Sequence, residues 1–174
     1  MESECNTSSG DSINNLDSRA WAEIWVELGR ITKVTKVISN ELDCHVIIWI
    51  FLQQYMKKKG YSGPLKYETS YKIVNGNLVV RPDMQVGDNH LIEIKYLTNN
   101  SEGVPTDQLI RYLLYLRENR RATVHYMIIT RFTSDLEARK KLKGRMILLA
   151  KEIIGNSEDL DVCIRYKNQT SQGV

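Results

Sequence analysis

The chain has 174 residues, 42% hydrophobic and 26% charged, the size and balance of one globular domain that buries a core without metal or disulfide staples. Its net charge is +3 with a pI near 8.7, which permits nucleic-acid binding but lacks the dense basic stripe of a binder without chemistry. No apolar run reaches the ~18 residues of a membrane span, and the polar start is not a secretory signal.

Cys5, Cys44 and Cys163 are few, odd in number and far apart. They fit a reducing, cytoplasmic or otherwise intracellular setting better than a disulfide framework. With no CxxC pair and with His45, His90 and His125 scattered, no zinc site is expected.

Residues 1–15 and 167–174 are small and polar and read as disordered tails around a single domain, 16–166. Trp21, Trp25 and Leu28 recur at helical spacing over 18–30. The β-branched, polar stretch 31–39 follows. Ser39 or Asn40 can cap a second helix from Glu41, through the apolar run 46–52, to Lys57-Lys58-Lys59-Gly60, a cationic last turn with a glycine stop. Strands are expected over 65–74, 78–84 and 90–97, with turns at Asn75-Gly76 and Gly87-Asp88-Asn89. Residues 105–119 place Leu109, Tyr112, Leu113 and Leu116 on one helical face. Residues 123–130 read as a buried strand, 134–154 as a long helix and 160–166 as a last strand. The order ααβββαβαβ implies an α/β fold, a mixed sheet with helices on both faces.

The chemistry concentrates in the second and third strands. Glu93 and Lys95 are two apart and share a strand face, with Ile94 on the other. A three-residue loop at 87–89 sets Val86 opposite His90, Asp83 opposite Glu93 and Arg81 opposite Lys95. The reverse face then pairs Met84 with Ile92, Pro82 with Ile94 and Val80 with Tyr96. One face is charged and the other apolar, as a half-buried hairpin requires. Two carboxylates side by side repel unless something compensates. Mg²⁺ does so with oxygen ligands, and the Ile94 carbonyl is adjacent. Lys95 beside it can hold the attacking water and stabilise charge on a phosphate. The plainer reading is a solvated salt-bridge cluster of Arg81, Asp83, Glu93 and Lys95.

At these residues the sequence resembles the PD-(D/E)XK nuclease superfamily. Pro82-Asp83, nine intervening residues and Glu93-Ile94-Lys95 match its motif. The element order matches its restriction-endonuclease-like αβββαβ core, with an extra N-terminal helix. The run from Gln108 to Tyr112 looks like the QxxxY element of RecB-type domains. The resemblance implies a deoxyribonuclease that hydrolyses phosphodiesters with Mg²⁺ or Mn²⁺ and a metal-bound water as nucleophile. It implies metal ligation by Asp83, Glu93 and the Ile94 carbonyl, and catalytic assistance from Lys95 and Gln108. Members also place a Glu or His on the first core helix. Glu41 and His45 share a helical face, and Glu41 suits a hard cation better. A two-residue turn at Asn75-Gly76 would also bring Glu68 opposite Asp83.

Expected DNA contacts are Arg111, Tyr112, Lys140, Lys141 and Lys143, the lysines by pairing with backbone phosphates. Trp21, Trp25 and Trp49 read as core or dimer-contact residues, and a homodimer is expected, as in junction-resolving and many restriction enzymes. The competing readings are a non-catalytic nucleic-acid-binding or assembly subunit on the same fold and an RNA-directed nuclease.

Overall fold

In a computed structural model of the chain, residues 16–34, 38–73, 77–98, 106–130 and 136–166 are described. The expected tails, the Asn75-Gly76 turn and Pro105 lie outside them.

Two helices lead. In α1 (Ser18–Val34) the Asp17 carboxylate caps the start, accepting from the Ala20 amide at 2.8 Å. The helix runs past the expected end at Arg30. β-Branched residues cost a helix only a few tenths of a kcal/mol, and buried Ile24 and Leu28 anchor it. In α2 (Glu41–Lys59) Asn40 is the cap: its side chain accepts from the Asp43 amide, and Asp43 reciprocates. Gly60 stops the helix at φ 73°, where its amide reaches the Lys57 and Met56 carbonyls.

The two expected strands 65–74 and 78–84 are each broken in two. β1 (Leu65–Tyr67) pairs with β4 (Met84–Val86), and β2 (Tyr71–Ile73) pairs with β3 (Leu78–Val80). Both ladders keep one register. Between them, Glu68 takes a left-handed φ of 47° and its amide donates to the Asp83 carbonyl at 3.0 Å. On the facing strand Pro82, next to Asp83, offers no ladder donor. The hairpin bends here, and β2–β3 leaves the main sheet as a sheet of its own.

The main sheet has the order β1-β4-β5-β6-β7. β5 (His90–Leu97) runs antiparallel to β4, whereas β6 (Thr123–Thr130) and β7 (Leu160–Tyr166) run parallel to β5. The expected three-residue loop register holds: Val86 faces His90 and Met84 faces Ile92. The ladder stops at Met84–Ile92: the expected pairs of Asp83 with Glu93, Pro82 with Ile94, Arg81 with Lys95 and Val80 with Tyr96 do not form, because the chain bends away at 81–83, and Arg81 reaches Ser70 at 3.2 Å.

α1 and α2 cover one face of this mixed α/β sheet, meeting Ile92, Ile94, Met127 and Cys163. α3 (Thr106–Glu118) and α4 (Leu136–Ile154) cover the other, meeting Leu91, Val124, Ile128 and Val162. Trp21 and Trp25 are buried in the first layer, as core residues. Among the described residues no helix is long and apolar enough to cross a membrane.

Candidate active site

The bend at 81–83 creates the site. Past Ile92, β5 has no ladder partner on the β4 side among the described residues. Edge amides need acceptors when buried, and two carboxylates supply them. Asp83 Oδ2 accepts from the Ile94 amide at 2.6 Å, and Glu41 Oε2 accepts from the Tyr96 amide at 3.1 Å. An extended residue turns its N–H and C=O to the same side, so the Ile94 carbonyl also faces this gap.

Glu93 is fully buried, at 0% exposure. It points with Leu91 toward the α3 layer. Lys95 Nζ lies 2.7 Å from Glu93 Oε1 and 3.3 Å from Glu41 Oε1. Gln108 Nε2 also donates to Glu93 Oε1, and the Tyr112 hydroxyl donates to Oε2. Gln108 and Tyr112 are four apart on α3, so one helical face presents both donors. Burial and then the nearby Asp83 charge push the Glu93 carboxyl up to about 7, against the lowering pull of Lys95 and Tyr112. Burial pulls Lys95 down, but the facing carboxylates, Glu93 foremost, more than offset it, and its pKa lies above the usual lysine value. Lys95 is therefore a cation in the resting site.

His45, one turn after Glu41, places Nε2 3.4 Å from Asp83 Oδ2. That nitrogen has no well-formed hydrogen bond, so the contact is electrostatic. Burial opposes its protonation, but Asp83 and then Glu41 outweigh this and raise its pKa. His45 Nδ1 meets the Tyr67 hydroxyl at 3.0 Å.

Asp83, Glu93, Lys95, Glu41, Gln108 and the Ile94 backbone are thus brought together, and His45 joins them. Glu68 is opposite Asp83 as anticipated, but through its backbone, and its side chain is exposed. Tyr112, expected to touch nucleic acid, is 1% exposed; its hydroxyl is committed to Glu93 instead. Arg111 is exposed on α3. Lys140 and Lys143 lie on α4 at the far edge of the sheet, lining a cavity of about 290 Å³ with Arg139 and Arg165. Lys140 pairs with Glu137 at 2.8 Å, and Lys141 is exposed. None of these α4 cations reaches the carboxylates.

Sequence reasoning missed Tyr67 and Tyr126. Tyr126 sits beside Glu93 in the β5–β6 register and its hydroxyl meets Gln108 Oε1 at 3.5 Å. Only the parallel register exposes that role, and no turn fixes a parallel register as it does a hairpin's.

Among the described residues no set of three or more His, Cys, Asp or Glu is gathered as a metal cage. Glu41 is turned to Lys95 and Tyr96, leaving Asp83 and Glu93 as the pair. A Mg²⁺-type ion is typically held by one or two carboxylates with water, so the donor set fits. So does the charge: Asp83, Glu93 and Glu41 (−3) against Lys95 and His45 (+2) leave an excess of −1 when all are ionised. No family model, curated protein or solved structure matches the chain.

Proposed function

We propose that the chain is a metal-dependent nuclease that hydrolyses DNA phosphodiester bonds, built on a restriction-endonuclease-like αβββαβ core of the PD-(D/E)XK type. The observation that carries this reading is the fully buried Glu93, held by Lys95, Gln108 and Tyr112 beside Asp83. A fully solvated charged strand face would have none of this burial or support. Asp83 and Glu93, with the Ile94 carbonyl, would hold Mg²⁺ or Mn²⁺, and Glu41 borders them. Such an ion supplies Lewis acidity at the phosphate and makes water acidic enough to attack near neutral pH.

The chain's own residues do the rest. Lys95, protonated, attracts the phosphate and stabilises charge developing on it. Gln108 and Tyr112 fix the Glu93 carboxylate, so little reorganisation is needed when charge builds. Glu41 holds Lys95 from the other side. The intracellular setting and the DNA-facing role of Arg111 and the α4 lysines belong to the same proposal.

One observation favours a non-catalytic scaffold on the same fold: Asp83 and Glu41 also close the open edge of β5. The deciding experiment is cleavage of supercoiled, linear, single-stranded and branched DNA, and of RNA, with Mg²⁺, Mn²⁺ or EDTA. Wild type is compared with Asp83→Ala and Lys95→Ala. Metal-dependent cutting of DNA, lost in both variants, is the expected result. Cutting confined to RNA would redirect the substrate, and binding without cutting in all three proteins would establish the scaffold.

A further inference from the structure

The ribbon formed by β2 and β3 leaves the main sheet at the same bend that sets Asp83 beside β5. Its inner face packs in the α3 layer, with Ile73 and Val80 buried there and Tyr71 and Leu78 against them. Its outer face carries Lys72 and Val79, which pair across the ribbon and are both exposed. Arg81 comes two residues after Val79, so alternation turns it to the same side as Lys72. Arg81 is exposed, and its Nε donates to the Ser70 hydroxyl at 3.2 Å, as that placement requires. Lys72 and Arg81 are thus diagonal neighbours, with α-carbons roughly 7–8 Å apart. Lys66 stands at the base of the ribbon. It pairs with Gln85, whose side chain accepts from the Tyr71 hydroxyl of β2.

These three cations are not spent inside the chain. Among the described residues none of Lys66, Lys72 and Arg81 has a carboxylate within ion-pair distance. Over 65–82 they stand against Glu68 alone, three positive charges to one negative. Lys95 is the opposite case, since Glu93 and Glu41 both hold it. The carboxylates of the candidate site repel an approaching polyanion, so the charge that holds a nucleic-acid backbone has to lie outside them. The ribbon supplies it at short range. β3 runs on into Asp83, and Arg81 is only about 7 Å along the chain from it. We propose that the outer face of the β2–β3 ribbon, Lys72 and Arg81 with Lys66 at its base, is a track for the phosphodiester backbone on one side of the bond to be cut. This rests on the nuclease reading for the bond that is cut, though not for the backbone that is held.

The test is equilibrium binding of a fluorescently labelled duplex DNA oligonucleotide by the full chain in EDTA, read by anisotropy over a range of salt. Each phosphate contact contributes about 0.9 to the slope of log affinity against log salt. Lys72→Gln/Arg81→Gln is expected to make that slope shallower by about 1.8, a loss of about sixtyfold in affinity at ~0.1 M salt. Lys72→Arg/Arg81→Lys keeps both charges and is expected to keep the slope. Lys57→Gln/Lys58→Gln removes the same charge about 24 Å along α2 from Glu41 and is expected to bind as wild type does. Circular dichroism and melting should be unchanged throughout, because every substituted side chain is exposed. A wild type that does not bind, a wild-type slope in Lys72→Gln/Arg81→Gln, or an equal loss in Lys57→Gln/Lys58→Gln would each overturn the proposal. Cleavage of the same duplex with Mn²⁺ is scored separately. Ribbon-dependent binding without cutting would refute the nuclease reading and leave the track standing. Cutting by a Lys72→Gln/Arg81→Gln variant of unchanged affinity would refute the track alone.

Discussion

Glu93 and Lys95 set the energetics of the site residue by residue. A buried ion pair is worth less than the damage done by removing one partner. Lys95→Met should therefore lower stability by an order of ~3 kcal/mol in metal-free protein, because it strands Glu93. The added Glu93→Gln change should restore much of the loss in a double-mutant cycle read by urea denaturation. Tyr112→Phe removes one donor and should cost about 1–3 kcal/mol with the fold intact. A further pH response arises at His90, away from this pair. Trp21 stacks on His125, whose Nε2 lies 3.0 Å from His90 Nδ1 and whose Nδ1 lies 3.1 Å from Asp161 Oδ2. Burial, then His125, pushes His90 down from 6.5 to about 4. A depressed folded pKa favours the neutral form in the native state, so its stability is fully present above pH 6.5 and is lost as pH falls toward 4. The loss attributable to His90 is at most about 3 kcal/mol. A His90→Gln variant should show a correspondingly shallower fall in melting temperature over that window.

At the level of elements, the site exists because a hairpin bends. The loop at 87–89, the shared face of Glu93 and Lys95, and the placing of Asp83 beside β5 are all legible in the sequence, since alternation and loop length fix an antiparallel register. The break at Glu68 and Pro82 is not. Pro82 reads first as a motif letter, which hides its missing amide as a strand ender. That break removes β3 from the sheet, frees the β5 edge and gives Asp83 and Glu41 their backbone partners. Tyr126 stays hidden because a parallel register depends on how α3 and α4 pack, which short-range sequence patterns do not specify. The Asn40–Asp43 cap is half legible, with Ser39 as its rival. Its role in the structure is specific: it fixes the turn from which Glu41 reaches Lys95. Asn40→Ala should cost about 1 kcal/mol by thermal melting. It should lower cleavage as well, because the first turn of α2 loses its anchor.

For the whole molecule, the sequence pattern suffices for an α/β domain with helices on both faces of a mixed sheet. The functional surfaces at that scale are less legible. Charge alone groups the cations Lys140 and Lys143 with the site, yet β7 and α4 set them at the opposite edge of the sheet. The apolar run of α2 is legible as part of a helix, but such a run does not reveal which of its side chains are covered: Val46 and Ile50 stay exposed and Ile48 and Leu52 are buried. On the proposed reading, the three carboxylates, with Lys95 and His45 beside them, are the place where a divalent cation is held.

Manganese titration by calorimetry at about pH 8, where the Glu93 carboxyl is largely ionised, on wild type and Asp83→Ala, tests that point most directly. Wild type should bind Mn²⁺ and gain melting temperature, and Asp83→Ala should do neither while remaining folded. Equal binding by both proteins, or none by wild type, would contradict a metal site built on Asp83 and Glu93.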